Sequence, residues 1–143
     1  MKITTHSEKQ TINLGQKLAQ NFEGGEIIGL VGELGAGKTN LIKGIGQGLG
    51  VKQTITSPTF VLMKVYPLKS LNSKIKRLVH VDAYRLKTGQ DLIAIGLQDY
   101  LKNSETITVI EWANKIKNIL PKKTIFAKIE FTNKPNQRII KIE

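Results

Sequence analysis

The stretch GELGAGKT, residues Gly32 to Thr39, constrains the fold of this chain more than any other feature. It fits the pattern GxxxxGK(S/T), in which a glycine-rich turn between a strand and a helix binds phosphate. The apolar run before it, Glu26 to Val31, predicts a buried strand. The apolar residues after it recur at helical spacing and predict a helix that ends at Gly50: Leu41, Ile42, Ile45 and Leu49. The order strand, loop, helix favours a phosphate site over a coincidental glycine turn.

Each residue type in this loop has a chemical reason. A side chain at Gly32, Gly35 or Gly37 would hinder the main-chain N–H groups from turning inward toward a phosphate. The following helix points the positive end of its dipole at the same phosphates. We expect Lys38 to reach the β and γ oxygens and the Thr39 hydroxyl to ligate Mg²⁺. The loop therefore predicts a site for a metal–nucleoside triphosphate.

The rest of the chain alternates helical and strand patterns. A capping box at Ser7 to Gln10 and apolar residues at helical spacing predict a first helix over 8–22. Two strands over 60–66 and 76–82 are expected to form an antiparallel hairpin. The remaining predicted elements are a helical segment over 89–101 interrupted at Gly96, a strand over 106–110, a short helix before Pro121, and strands over 124–131 and 138–142. This order predicts an α/β fold, a P-loop NTPase-like sheet with antiparallel additions and helices on both faces, in a single domain over 1–143.

Composition narrows the class of protein. At 143 residues the chain has room for one core but little for a separate lid or substrate domain. It contains no cysteine, which excludes disulfides and thiolate metal ligands, and its N-terminus lacks the apolar segment of a secretory signal. We therefore expect a soluble cytoplasmic protein without membrane association. The net charge of +11 fits either a lysine-rich solvated surface or weak contact with RNA or an acidic partner.

Two predicted strands end in a carboxylate, at Asp82 and at Glu111. An acid at the end of a strand beside the phosphate loop is expected to hold Mg²⁺ directly or through water. Spacing alone leaves both acids open, and either could instead cap a following helix. Because His80, Asp82 and Tyr84 alternate, an extended strand would place them on one face. His80 is therefore a further candidate for orienting water, and Arg85 is the nearest candidate cation for the transferred phosphoryl group.

The identity of the base is indicated only indirectly. The run Asn133 to Asn136, NKPN, resembles the NKxD element that binds guanine, but its last residue lacks the carboxylate that accepts from guanine's N–H groups. Pro and Asn also explain this run as a β-turn. Adenine is therefore favoured over guanine.

Several motifs occur together in an order that is specific to one family. They are GELGAGKT, SPTF (57–60), HVDAYR (80–85), GLQDYL (96–101), and IEWA (110–113) with Lys115. This combination resembles the TsaE family, also called YjeE, the bacterial ATPases of tRNA threonylcarbamoyladenosine synthesis. The resemblance implies ATP and Mg²⁺ as cofactors and TsaB and TsaD as partners. It further implies that tRNA is met indirectly through that complex, where TsaD modifies adenosine 37 of ANN-decoding tRNAs, and that the chain is monomeric when alone.

The resemblance also implies roles for particular residues. It matches Thr39 and Glu111 to the magnesium site, Asp82 to an additional acid in hydrolysis that could also hold the metal, and 57–60 to a switch-like segment near the nucleotide. Catalytic roles fall to Asp82, Glu111 and Lys38. The implied nucleotide contacts are Gly32, Glu33, Leu34, Gly35, Ala36, Gly37, Lys38, Thr39, Asn40 and Trp112, with Thr11 and Arg138 less firmly matched. Two residues depart from the family pattern, Asn40 in place of Thr and Ala83 in place of Leu, and neither removes a reacting group.

Three hypotheses follow. The first is an ATPase subunit of a tRNA-modifying assembly that hydrolyses ATP slowly until its partners order the site. The second is a small P-loop kinase for a metabolite, which would need an acceptor pocket and a lid that this length hardly allows. The third is an RNA-binding module switched by nucleotide, which would bind RNA tightly with a steep salt dependence.

Overall fold

A computed structural model of the chain describes residues 1–56, 62–68, 74–86 and 89–143. These residues form a seven-stranded sheet. Its strands are β1 (Lys2–Thr5), β2 (Ile27–Val31), β3 (Met63–Pro67), β4 (Arg77–Asp82), β5 (Thr106–Glu111), β6 (Ile125–Phe131) and β7 (Arg138–Ile142). The helices are α1 (Glu8–Gln20), α2 (Lys38–Leu49), α3 (Gln90–Ala94), α4 (Leu97–Leu101) and a 3₁₀ helix, Ala113–Ile119. Among the described residues, no helix combines the length and the apolar character that crossing a membrane requires.

The strand order is β1-β7-β6-β2-β5-β4-β3. Strands β6, β2, β5 and β4 are parallel, whereas β3 joins one side of this centre and β7 and β1 join the other in antiparallel orientation. The prediction of an α/β sheet with antiparallel additions is therefore confirmed. Parallel strands place their carboxyl ends at one edge, so β2, β4 and β5 all end where the phosphate loop begins.

Two apolar cores lie on opposite faces of the sheet. Successive residues of a strand point to opposite faces, and accordingly Ile28 lies in the core under α1 and α2 while Ile27 lies in the core under α3, α4 and the 3₁₀ helix. Leu78 and Val79 of β4 divide in the same way. Helices therefore cover both faces, as the sequence predicts, and each face contributes side chains to its own core.

Helices α1 and α2 approach each other more closely than ordinary side chains would allow. A Cβ atom added at Gly44 would lie 2.0 Å from the carbonyl oxygen of Ile12, and one added at Gly15 would lie 2.3 Å from that of Leu41. Glycine weakens an isolated helix, but here the close backbone-to-backbone packing of α1 and α2 requires it. This packing holds α2, which carries the phosphate loop at its N-terminus, against the rest of the fold.

Besides shifts of one residue at several strand ends, the structure differs from the predicted elements in three places. Strand β1 was not predicted, because KITT has no strong apolar alternation and forms only by pairing with β7 at the far end of the chain. Helix α1 ends at Gln20 rather than at 22, since Asn21 caps it with its own N–H. Strand β3 extends to Pro67, while residues 60 and 61 of its predicted start lie outside the described residues, as does the whole of SPTF, 57–60.

Candidate functional site

A cleft of about 540 Å³ opens at the carboxyl ends of β2, β4 and β5. Strand β2 pairs with β6 on one side and with β5 on the other, so the chain connections diverge at this point. Such switch points in parallel sheets leave a crevice where ligands bind. The cleft is lined by residues from five segments: Glu8, Leu34, Gly35, Gly37, Lys38, Thr39, Asn40, Leu62, Asp82, Tyr84, Arg85, Glu111 and Trp112.

The phosphate loop adopts backbone conformations that favour glycine. Gly35 and Gly37 have φ angles of 80° and 104°, in the left-handed region that side chains disfavour. A Cβ atom at Gly37 would meet nothing within 4 Å, so this point of the loop faces open space. Helix α2 begins at Lys38, immediately after Gly37, and carries no acidic residue in its first turn. Its unpaired N–H groups and positive dipole end are therefore available to an anion.

Lys38 is folded back beneath the loop. Its Nζ donates hydrogen bonds to the carbonyl oxygen of Gly32 and, at 2.9 Å, to that of Glu33. The same ammonium group lies 4.2 Å from the centre of the Trp112 ring. Burial lowers the pKa of Lys38, and the negative charges of Glu111 and Asp82 partly offset this effect. An ammonium has three donors, and the bonds to described residues use two of them, so the third N–H of Lys38 can donate to a phosphate oxygen.

The two candidate carboxylates end adjacent parallel strands and stand opposite each other in register, Asp82 beside Glu111. Glu111 is buried, with 4% of its surface exposed, and its Oε2 lies 2.8 Å from Nε2 of His80. Asp82 is half-buried, and its Oδ1 accepts a hydrogen bond of 3.0 Å from the backbone N–H of Tyr84. Burial raises the pKa of Asp82, the Tyr84 N–H opposes that rise, and the charge of Glu111 adds to it.

The structure corrects two expectations about this region. Strand β4 ends at Asp82, and Tyr84 lies in the turn beyond it, so the three alternating residues do not share a strand face. His80 is completely buried and reaches Glu111, so its ring is not exposed to water in the cleft. The alternation argument failed because it assumed that the strand continued through the turn. His80 contacts Glu111, which lines the cleft.

The less firmly matched residues also lie at the loop. Thr11 is 2% exposed, and its Oγ1 lies 2.8 Å from that of Thr5. Thr11, Asn40 and Arg138 line a small pocket of about 50 Å³ beside Gly35 and Gly37. The structure thus brings residues 11, 40 and 138 to one side of the phosphate loop, although they are distant in sequence.

Trp112 and Tyr84 form one wall of the cleft. Their ring centres are 5.0 Å apart with the planes tilted by 48°. Trp112 is the one residue other than glycine with a positive φ among the described residues, at 60°, and its ring contacts Lys38. Lys115 joins the two segments, because its Nζ donates to the carbonyl oxygen of Tyr84 at 2.5 Å and lies 5.0 Å from the Tyr84 ring centre.

Sequence reasoning assigned no role to Lys115. Lys115 belongs to the family motif that follows IEWA, and its position three residues after Trp112 is the signal that indicates a role at the cleft. The Lys115 N–H donates to the carbonyl oxygen of Trp112 at 3.0 Å, and the Lys115 Nζ lies 5.8 Å from the centre of the Trp112 ring.

The side-chain chemistry at the cleft fits Mg²⁺ and a triphosphate. Thr39, Asp82 and Glu111 all line it, and hydroxyl and carboxylate oxygens are ligands that Mg²⁺ prefers. The described residues contain no group of three or more His, Cys, Asp or Glu side chains that could hold a metal ion by themselves. A Mg²⁺ ion here would therefore need phosphate oxygens as well, as in P-loop sites generally. Both carboxylates remain candidates for the protein ligand.

Comparison with known proteins gives consistent results. A tRNA threonylcarbamoyladenosine biosynthesis protein TsaE from Streptomyces coelicolor is 48% identical over 99 residues, which are 69% of this chain and 64% of that protein. This chain thus matches just under two thirds of that relative's length. The TsaE from Treponema pallidum is 33% identical over 139 residues, covering 97% of this chain and 98% of its own.

A solved structure agrees as well. The crystal structure of YdiB from Bacillus subtilis superposes with a TM-score of 0.75 at 28% identity, covering 98% of this chain and 82% of that one. The family model described as threonylcarbamoyl adenosine biosynthesis protein TsaE matches residues 5–140. The resemblance carried by the motifs is thereby confirmed over nearly the whole chain, and the protein belongs to the TsaE family.

Proposed function

We propose that this chain is an ATP-binding and ATP-hydrolysing subunit of tRNA threonylcarbamoyladenosine biosynthesis, acting on a complex of TsaB and TsaD. The observation that carries the proposal is the position of Lys38 and the glycine-rich loop, which face Asp82 and Glu111 across one cleft. Membership of the TsaE family supplies the pathway, since relatives that bear this name act in the biosynthesis of that modified nucleoside.

Phosphate binding would be the work of the loop and the start of α2. The N–H groups that open α2 would donate to the phosphate oxygens, and the free N–H of Lys38 would reach the same group. The carbonyl bonds from Lys38 to Gly32 and Glu33 hold the ammonium in place before the ligand arrives. Less reorganisation is then needed when the nucleotide binds, and this favours affinity.

Magnesium would be held by the Thr39 hydroxyl together with Asp82 or Glu111. Bound there, the ion would neutralise negative charge on the phosphate oxygens. Asp82 is the more exposed carboxylate and has a raised pKa, which suits it to orient water or to accept its proton. Glu111 is fixed by His80, which suits it to hold a constant position.

Partner dependence is supported by how the arginines are used. Arg77 donates to Thr106 at the opposite end of the sheet, and Arg138 donates to backbone carbonyls of the loop. Arg85 is the one arginine among the described residues that line the cleft, and it is exposed. We therefore expect slow hydrolysis by the isolated chain, because a second cation to stabilise the transferred phosphoryl group would have to come from TsaB or TsaD.

The test compares Lys38→Ala with Lys43→Ala, which removes a lysine from the same helix but outside the cleft. Calorimetry with Mg–ATP should show binding by the wild type and by Lys43→Ala, and at least a roughly hundredfold weaker affinity for Lys38→Ala. Phosphate release should rise when TsaB and TsaD are added to the wild type. Failure of the wild type to bind ATP, or an unchanged affinity in Lys38→Ala, would contradict the proposal.

The alternative function, a metabolite kinase, is tested by following labelled phosphate from ATP. Transfer of labelled phosphate from ATP to a small molecule, without TsaB and TsaD, would replace the ATPase proposal with that alternative. Tens of turnovers per second by the isolated chain would contradict partner dependence alone.

A further inference from the structure

The first residue of β7, Arg138, connects the C-terminal hairpin to the phosphate loop. Its Nε donates to the carbonyl oxygen of Ala36 at 3.0 Å, and its Nη2 donates to that of Gly35 at 3.4 Å. Nη1 donates to the carbonyl oxygens of Pro135 and Gln137 at 2.8 and 2.9 Å. The guanidinium has five N–H donors, so these contacts leave little of it for any other partner.

The ring of Phe131 supports the guanidinium from the neighbouring strand. The Arg138 Cζ atom lies 4.6 Å from the centre of that ring, which is within the range of a cation–π contact. Arg138 is therefore held by contacts on β6, on the turn before β7 and on the loop. It does not line the 540 Å³ cleft that contains Lys38, Asp82 and Glu111.

The position of Arg138 determines the direction of a peptide group. In a trans peptide the C=O bond and the following N–H bond point in opposite directions. Because the carbonyl oxygen of Ala36 points at Arg138, the N–H of Gly37 points away from Arg138. That N–H is the main-chain donor immediately before α2, and Gly37 faces open space at the cleft. The contact therefore favours the orientation in which this donor faces an anion.

The loop needs such a contact because of its own composition. Gly35 and Gly37 flank Ala36, and both have positive φ angles. Glycine rotates between backbone conformations at little cost, so a peptide between two glycines can turn over unless an outside group holds it. The bond from the Ala36 N–H to the Glu33 carbonyl, at 3.1 Å, holds one side of Ala36, and Arg138 holds the other.

We propose that Arg138 is a positioning residue, which holds the carbonyl oxygens of Gly35 and Ala36 away from the anion and so keeps the loop amides directed at it. This role differs from direct contact with the ribose or base of a nucleotide. It rests on the proposed function to the extent that the anion is the phosphate chain of ATP. Its structural part, the fixed 36–37 peptide, applies to the chain without any ligand.

Inorganic tripolyphosphate separates the two roles, because it has the phosphates of ATP without ribose or base. The variants are Arg138→Met, Arg138→Lys and, as a control, Lys141→Gln, which removes an exposed cation from the same strand. We expect Arg138→Met to weaken binding of Mg–ATP and of Mg–tripolyphosphate by the same factor, about tenfold or more. Arg138→Lys should lose less, since an ammonium can still donate to Ala36, and Lys141→Gln should change neither affinity by more than about twofold.

The contrary result is equally definite. If Arg138→Met weakens ATP binding and leaves tripolyphosphate binding unchanged, Arg138 contacts the ribose or base and the proposal is overturned. Unchanged affinities for both ligands would overturn it as well. Thermal unfolding of each variant shows whether a loss of binding reflects a loss of folding.

A measurement without ligand keeps the inference independent of nucleotide binding. The amide resonances of Gly35 and Gly37 should be single and sharp in the wild type and in Lys141→Gln, and broadened or split in Arg138→Met. Sharp resonances in all three proteins would overturn the proposal. If the wild type binds neither ATP nor tripolyphosphate, the proposed function fails, and the resonances of Arg138→Met alone decide the role of Arg138.

Discussion

Strands β4 and β5 end side by side, each in a carboxylate, but the structure holds the two groups differently. Glu111, at the end of β5, is 4% exposed and has the fully buried His80 at 2.8 Å. Asp82, at the end of β4, is half-buried and is held by one backbone N–H from the turn that follows. Two carboxylates at the same position on neighbouring strands are therefore held differently. A buried side chain contacts Glu111, and the backbone of a turn contacts Asp82.

This difference has consequences for what each acid can do. Every residue of β5 is buried, so Glu111 is attached to a rigid strand and its carboxylate has little freedom. Asp82 precedes a turn in which Tyr84 and Arg85 are exposed, and burial raises its pKa. A rigid carboxylate suits a ligand of constant position, whereas a carboxylate with a raised pKa suits proton transfer. We therefore assign the holding role to Glu111 and the water-orienting role to Asp82 as predictions to be tested.

The largest expected effect is that of Glu111→Gln. It removes the negative charge while keeping the size of the side chain, so hydrolysis with TsaB and TsaD present should fall by about a hundredfold or more. Calorimetry should show a smaller change in ATP affinity than in rate. Glu105→Gln, before the opposite end of β5, is the matched control and should retain the wild-type rate. An unchanged rate in Glu111→Gln would transfer its role to Asp82.

Asp82→Asn should lower the rate by about ten- to a hundredfold, because the amide cannot accept a proton. It should also stabilise the protein at neutral pH when metal and nucleotide are absent. The pKa of Asp82 is raised in the folded state from its ordinary 3.8, so the stability of the wild type falls as the pH rises through the interval between the unfolded and folded values. The variant lacks this loss.

Chemical denaturation at several pH values measures the effect of Asp82→Asn on stability. The difference between variant and wild type should be present at pH 7 and should shrink as the pH falls through the folded pKa and then through 3.8, because the acid is protonated in both states only below the unfolded value. A variant that is less stable than the wild type at pH 7 would show that the hydrogen bond from the Tyr84 N–H outweighs the cost of burying the Asp82 charge.

His80→Leu comes next in size. It removes the ring nitrogen beside Glu111, which should reduce the free energy of unfolding by about 1–3 kcal/mol. It should also lower the rate of hydrolysis about tenfold, as the loss of partners that orient metal ligands generally does. His80→Gln keeps a donor and should recover part of the rate. Stability lost without any change in rate would mean that His80 supports the fold and not the position of Glu111.

The contrast between the two acids also marks the limit of what the sequence reveals. The phosphate loop, β2 and α2 were predictable because consecutive residues determine them: glycines with positive φ, a lysine and a threonine at the helix start. The presence of a carboxylate at two strand ends was predictable for the same reason. Their difference was not, because the burial of Glu111 and its contact with His80 depend on the pairing of β4 with β5.

Long-range pairing also explains why two further features did not follow from the local sequence. Strand β1 exists only through β7, and Arg138 meets Ala36 across 102 positions of the chain, so neither follows from local periodicity. The family resemblance did lead to Arg138, although it implied a nucleotide contact rather than bonds to the loop. Residues 57–60, expected to form a switch-like segment, lie outside the described residues and that expectation stays a prediction.

Lys115→Met should have the smallest effect and is the finest test of the comparison. Lys115 donates to the carbonyl oxygen of Tyr84, and the N–H of Tyr84 donates to Asp82. An exposed lysine after β5 therefore helps to position the carboxylate at the end of β4. Exposed contacts of this kind contribute about 1 kcal/mol or less, which corresponds to a loss in rate of a few-fold. The control is Lys117→Met on the same 3₁₀ helix, whose lysine lies over Phe126 instead.

Combining Lys115→Met with each acid variant shows which of the two carboxylates Lys115 acts on. Since Lys115 acts on Asp82, its effect on the rate should largely disappear in an Asp82→Asn background and persist in a Glu111→Gln background. Phosphate release by the double variants provides the measurement. Equal effects in both backgrounds would mean that Lys115 acts through the Tyr84–Trp112 wall as a whole, and the two acids would then share one support instead of having separate ones.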